Sequence, residues 1–321
     1  MAKLVNWNPL DIRFEYYISL SLSADSGRTW IIGYNDFYEE EEPTKYPYLE
    51  STLTGPKVEH SLFLKENENI IEDMKQMVEI ICEVFSSPIC EIDIDKQSLI
   101  EWIINLQPTI PYVSIERDLI PSIEYLDYML KNLNVTDHFH VGAIATNLRN
   151  FKQPYSENIR ITEPIPCPSI IIDNSYWVTL PLILNGTNSV IRLHDSKLTP
   201  TDINTILKEW QIGTKLQNLE FLEIEFFTTQ DLDSLSDEVS KGLDLTNGDE
   251  NDGRPTTVKI HDEFICTLPS PEVYFNLIRS DGMVGSIFPS DTEVDSGAPS
   301  WITKKPLFNV VLQFPVWRRQ V

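Results

Sequence analysis

The chain has 321 residues and carries 49 acidic against 25 basic side chains, a formal net charge of −24. That balance excludes nucleic-acid binding through the surface as a whole, because a phosphate backbone is met by Lys and Arg; long-range fields favour a basic partner, and simple solubility also accounts for the acidity. A hydrophobic fraction of 41% and an aromatic fraction of 10% suffice for a substantial core, while no apolar run is long enough to span a membrane.

From Ile12 to Ile32 the pattern predicts strands, FEYYISLSLS and RTWIIGY, around a hairpin loop at Ser23–Gly27. The acid run Glu39–Glu42, closed by Pro43, is expected to be a solvated loop. A strong helix follows over Ile70–Phe85, with Ile70, Met74, Met77, Ile81 and Val84 on one face and Ile71, Val78 and Phe85 beside them. A strand over Ile89–Ile94 then leads to a helix over Ser98–Leu106, where Ser98 and Glu101 fit a capping box. Next come a strand at Tyr112–Ile115, a helix at Pro121–Leu133 and a short strand near Phe139–Val141. Beyond a poorly patterned stretch with Pro154, Pro164, Pro166 and Pro168, the order is strand Ser169–Ile172, helix Trp177–Leu184 and strand Val190–Leu193.

Helix Pro200–Trp210 has the clearest signals: Thr199 as cap, Pro200 at the first position, Asp202 at the positive end, and Gly213 to terminate it. Ile203, Ile206, Leu207 and Trp210 form its apolar stripe. In the strand Leu219–Phe227, Leu222, Ile224 and Phe226 share one face, and Glu223 and Glu225 share the other. Residues 229–255 are polar, acidic and rich in turn formers, and are expected to be a mobile loop. Strands are then predicted at Thr257–Phe264, Val273–Ser280, Met283–Phe288 and Phe308–Val316, with Ser280-Asp281-Gly282 as a tight hairpin. This β-rich section is expected to close the array by covering its last apolar face.

Strands recur roughly every 20–30 residues, which favours an α/β fold built as a degenerate leucine-rich-repeat-like array, with an ordinary α/β sheet as the alternative. Four cysteines (Cys82, Cys90, Cys167, Cys266) without a CxxC pair are too few for a disulfide scaffold. The N-terminal stretch lacks the layout of a signal peptide, so an intracellular protein, cytoplasmic or nuclear, is expected.

Candidate chemistry is sparse. His138 and His140 project the same way from a strand, a feasible ligand pair without the third and fourth ligands that zinc requires. The run Asn247–Gly253 has the flavour of a calcium loop, but Asp252 stands where the loop's spacing demands glycine. Asp93 and Asp95 read as the wet face of a strand, and Trp102, Trp177 and Trp210 as core positions of helical stripes. No GxSxG, Walker loop, GxGxxG or HExxH occurs. Neither a catalytic residue nor a cofactor or metal site is read, and no binding residue is singled out.

Leu198, Thr199, Asp202, Asn204, Leu207, Lys208, Trp210, Gly213, Leu219, Leu222 and Ile224 follow the pattern LT..D.N..LK.W..G with a downstream L..L.I strand. In this the chain resembles the nematode F-box-associated domain, type 2. FNLIRSDGMVGSI at Phe275–Ile287, the ending Phe308–Trp317 and the upstream helix and strand MVEIICEVFSSPICEIDID are similar to further pieces of that family, so that the likeness spans roughly residues 60–317. The resemblance implies a non-enzymatic protein-interaction domain that recruits substrates for an SCF ubiquitin ligase. In such proteins an N-terminal F-box docks on the Skp adaptor. Residues 1–60 are β-rich, and the first 50 contain no Leu-Pro pair of the kind that opens an F-box. The implied organisation is therefore 1–60 without an F-box and 61–321 as the α/β domain. The implied partner is an unknown protein substrate, with Skp and cullin engaged only through a divergent F-box, and neither nucleic acid nor membrane is a partner. The other readings are an orphan α/β enzyme and a decoy that sequesters substrates.

Overall fold

A computed structural model describes residues 11–15, 19–24, 28–34, 48–54, 57–64, 69–144, 161–248, 253–260, 265–268, 274–293 and 308–318. The acid run Glu39–Glu42 and the stretch around Pro154 lie outside the described residues. The chain divides into two compact units, Met1–Leu119 with Lys131–Val135, and Ile120–Leu130 with Thr136–Val321.

In the first unit, β1 (Asp11–Glu15), β2 (Ser19–Ala24), β3 (Arg28–Tyr34), β4 (Tyr48–Thr54) and β5 (Lys57–Leu64) precede α1 (Ile70–Phe85), β6 (Ile89–Ile94), α2 (Gln97–Leu106) and β7 (Thr109–Ile115). The strands lie in the order β7-β6-β1-β2-β3-β5-β4. β1 is parallel to β6, which joins the N-terminal strands to the elements after residue 60. The single predicted strand FEYYISLSLS is two strands, antiparallel, with Glu15 opposite Ser19. No Gly or Pro separates them, so alternation alone could not reveal the break.

Helix α1 has its predicted bounds and buries Met74 and Val78, while Val84, expected on the core face, is 54% exposed. The capping box expected at Ser98 and Glu101 does not form. The helix begins at Gln97 behind Lys96, which makes no side-chain cap bond, so Ser98 already lies inside the first turn. Gln107 ends this helix and clips the sheet instead, accepting from the Ile89 amide (2.8 Å) and donating to the Ile89 and Thr109 carbonyls.

The second unit contains most of α3 (Ile123–Asn132) and β8 (Asn134–Val141), then β9 (Ser169–Ile172), α4 (Leu180–Leu184), β10 (Val190–Ser196), α5 (Pro200–Ile212) and β11 (Phe221–Thr228). α6 (Leu232–Ser240), β12 (Leu245–Asn247), β13 (Thr257–Lys259), β14 (Ile265–Thr267), β15 (Phe275–Ile278), β16 (Met283–Glu293) and β17 (Phe308–Arg318) follow. The strands run β12-β15-β16-β17-β11-β10-β9-β8. β8 through β11 are parallel neighbours in chain order, and β17 joins the edge of β11 antiparallel, Phe221 opposite Pro315 and Thr228 opposite Phe308. The last strands of the C-terminal section thus extend the sheet edge: β11 offers a row of backbone donors and acceptors, and β17 satisfies it.

One face of this sheet is covered by helices. Thr199 and Asp202 exchange side-chain and backbone bonds in a capping box (3.2 and 2.9 Å), Pro200 occupies the first turn, and Gly213 ends α5 at φ 80°. Ile203, Ile206, Leu207 and Trp210 are fully buried, and Trp210 meets Phe314 of β17 edge-on at 4.9 Å between ring centroids. That ring is possible because β16 has a glycine at 285; a Cβ there would lie 2.0 Å from Phe314 Cζ. Arg279 stacks over Trp210 at 5.1 Å and forks onto Asp281 with two bonds of 2.9 Å, which pins the predicted Asp281-Gly282 hairpin to the end of α5. α4 lies over Ile170, Ile172, Ile191 and Leu193, beside a small apolar cavity that Trp177 also lines.

The expected mobile loop at 229–255 contains α6 and β12. Asp231 caps α6 by accepting from the Ser234 amide (2.8 Å), and Asn204 of α5 donates to the Val239 and Lys241 carbonyls at its end (2.6 and 3.0 Å). Buried Leu235 and Val239 outweigh the acidic composition that suggested a loop. β13 and β14 form a separate antiparallel ribbon, where a single strand was predicted. Ile260 and Leu268 of this ribbon segment pack on Ile171, Val190 and Phe221, the sheet face opposite the helices.

Candidate functional site

Register fixes which side chains share the ribbon-side face. His138 is opposite Ser169 and His140 opposite Ile171; Arg192 is opposite Ile171 on one side and Glu223 on the other; Glu223 is opposite Gln313. With two-residue alternation, His194 and Glu225 fall on the same face, and Asp173 follows directly after β9. A row of polar side chains therefore crosses five strands on a face whose other members, Val190 and Phe221, are buried apolar residues.

The row is continuous. Gln313 Nε2 donates to Glu223 Oε2 (2.7 Å), and Arg192 donates from Nε and Nη2 to Glu223 Oε1 (2.8 and 2.7 Å). His194 Nε2 stands 3.6 Å from the same oxygen, an electrostatic contact longer than a hydrogen bond. Its Nδ1 lies 2.9 Å from Asp173 Oδ1, and His140 Nε2 is 3.7 Å from Asp173 Oδ2. Next along β11, Asn309 donates to Glu225 (2.7 Å). The Glu223 side chain is 6% exposed and that of Asp173 11%, so both charges need these partners.

The titration behaviour follows from the geometry. The bond to Asp173, then the Glu223 carboxylate on the other ring nitrogen, raises His194 to about 9 against the opposing effect of burial. Burial pushes Glu223 up, but the charges of His194 and Arg192 and the Gln313 donor outweigh it and bring the carboxyl to about 2. His140 and His194 hold Asp173 well below the usual carboxylate range. A ring held in the imidazolium form, bonded to Asp173 through Nδ1 and facing Glu223 through Nε2, has no lone pair to act as a base. The nearby Cys266 thiol is raised by burial, and buried Cys167 is pushed up to about 12, so neither is an activated nucleophile. The row orders charge along one face of the sheet.

Of the residues weighed in the sequence, His138 is buried and bonded to Ser169 Oγ at 2.9 Å, and His140 meets Asp173. Among the described residues no group of three or more His, Cys, Asp or Glu is arranged to hold a metal. Residues 249–252 of the candidate calcium loop lie outside the described residues. Trp210 is core, as expected; its Nε1 has no partner among the described residues, so packing is its contribution. Asp173, Arg192, His194 and Gln313 gave no sequence signal, because each has its partners on neighbouring strands 21 to 90 residues away. Glu223 was visible only as a wet-face residue.

The family model described as F-box associated matches residues 156–224. The described part of this match runs through β9, α4, β10 and α5 into β11, all in the second unit. The resemblance holds over that segment, narrower than the likeness read from the sequence. No curated protein and no solved structure matches the chain. Among the described residues no helix is long and apolar enough to cross a membrane.

Proposed function

We propose that this chain is a non-enzymatic protein-interaction module that recruits a protein substrate, the role implied by its F-box-associated segment. The family match over residues 156–224 carries the reading. The row from His140 to Gln313 supports it, because it presents fixed, partly accessible charge without an activated nucleophile or base. Strands β8 to β11, parallel and in chain order, also suit a leucine-rich-repeat-like array, whose exposed faces are binding surfaces. The module works in the cytoplasm or nucleus and selects a partner; any ubiquitin chemistry belongs to other subunits, and no direct affinity for the Skp adaptor is expected.

Affinity purification of the full chain with mass spectrometry tests this. The expected result is one discrete protein partner without ligase subunits. Recovery of Skp and cullin would show a divergent F-box and restore ligase coupling. Recovery of no partner overturns the proposal.

A further inference from the structure

Where β9 and β10 end, two non-glycine residues occupy the left-handed region: Asn174 at φ 51°, directly after Asp173, and Asp195 at φ 51°, directly after His194. β10 is irregular at this point, with Leu193 opposite Ile224 but Ser196 opposite Phe226, so one extra residue bulges. Backbone of this kind persists only where its surroundings over-determine it. Ser175 donates its amide and its hydroxyl to the His194 carbonyl, at 2.7 and 2.8 Å. The second tie is the side-chain pair of Asp173 and His194, the residues just before the two strained ones.

We propose that Asp173, His194 and Glu223 form a charge-assisted latch that ties the turn after β9 to the bulge of β10, and that loss of one proton from His194 to solvent weakens that tie. The latch needs the imidazolium because only the charged ring has an N–H on each side. A neutral ring donates from one nitrogen, so either the 2.9 Å bond to Asp173 is lost or Glu223, at 3.6 Å, faces a lone pair in place of a positive N–H. The groups around the ring are Asp173 from the end of β9, Glu223 from β11, Arg192 from its own strand, and His140 of β8 acting through Asp173. β17 contributes uncharged Gln313 through Glu223, and the ribbon contributes Cys266, whose thiol is raised by burial, with Arg192 acting against that and Glu223 adding to it. Among the described residues Arg192 is the neighbour whose charge disfavours the charged ring, and it is itself bonded to Glu223. With His194 raised from 6.5 to about 9, the stabilisation is complete below 6.5 and disappears as pH rises through 9. The latch is closed at neutral pH and does not depend on whether the chain recruits a partner.

The test is an NMR titration of the full chain labelled at its five histidines, with His194→Gln to assign the resonance. In the wild type His194 titrates near 9, and in Asp173→Asn its midpoint falls by about one unit or more, as loss of an adjacent opposite charge requires. In that variant the Ser175 amide also exchanges about tenfold faster or more at pH 7, because the turn is no longer tied. A wild-type midpoint near 6.5, or Ser175 protection unchanged in Asp173→Asn, would overturn the latch. Should Asp173→Asn not fold, Glu223→Gln supplies the second perturbation, and Ser175 protection in the wild type that stays unchanged as pH rises through 9, after correction for intrinsic exchange, would overturn the latch.

Discussion

The two faces of the second unit's sheet are held by different physics. On the helix side Trp210, Phe314, Leu222 and Ile224 are buried apolar groups whose attraction has no preferred direction or charge state. On the ribbon side Asp173, Arg192, His194 and Glu223 are held by bonds that depend on geometry and protonation. The residues that mark the F-box-associated segment, among them Asn204, Trp210 and Gly213, belong to the first arrangement. The charged row belongs to the second, so the residues that carry the family resemblance and the ordered charges reside on opposite sides of the same strands.

Substitutions can break or sharpen this contrast. The largest effect is expected from Trp210→Ala, which empties the centre of the helix-side core; a loss of about 3–5 kcal/mol should appear in chemical denaturation, with no change between pH 5 and pH 8. Glu223→Ala leaves Arg192 without its buried partner and should cost about 3 kcal/mol. Its loss, unlike that of Trp210→Ala, should shrink as wild-type stability falls at low pH. Gly285→Ala forces Phe314 to move and is expected to cost about 1–3 kcal/mol in the same assay. Thr199→Ala removes one member of the capping box and should cost about 1 kcal/mol, read as a small drop in melting temperature.

Acid titration sharpens the contrast from the other direction. Glu223 is lowered in the fold from 4.5 to about 2, so its contribution is present above 4.5 and is lost as pH falls through 2. Wild-type stability followed by circular dichroism from pH 5 to pH 2 should decline more steeply than that of Glu223→Gln. Equal slopes would mean that the row carries no net stabilisation.

Legibility in the sequence divides along the same line. α5 was readable from Thr199, Pro200, Asp202, its four-residue apolar stripe and Gly213, because caps and periodicity act within a few residues of one another. The Asp281-Gly282 hairpin was legible for the same reason. α6 was not, since its acidic composition conceals Leu235 and Val239, which become a core only when α5 is beside them. The joining of β17 to β11 escaped notice because an edge is a property of the assembled sheet. The charged row was invisible as a unit: period-two alternation says that Arg192 and Glu223 each leave a strand, but only strand order and register say that they meet.

Arg279 gives the bounds of the family match a physical meaning. Its guanidinium lies between the Trp210 ring and Asp281, and also points to the Gln217 carbonyl, so the end of α5 and the hairpin after β15 are one object. Phe314 seals the other side of the same tryptophan. A fragment ending at residue 224 would keep every residue of the match, yet it would leave Trp210 without either neighbour and β11 without β17. The matched stretch is therefore a unit of resemblance and not of folding, because the neighbours that complete its core and its sheet edge come from the strands after it.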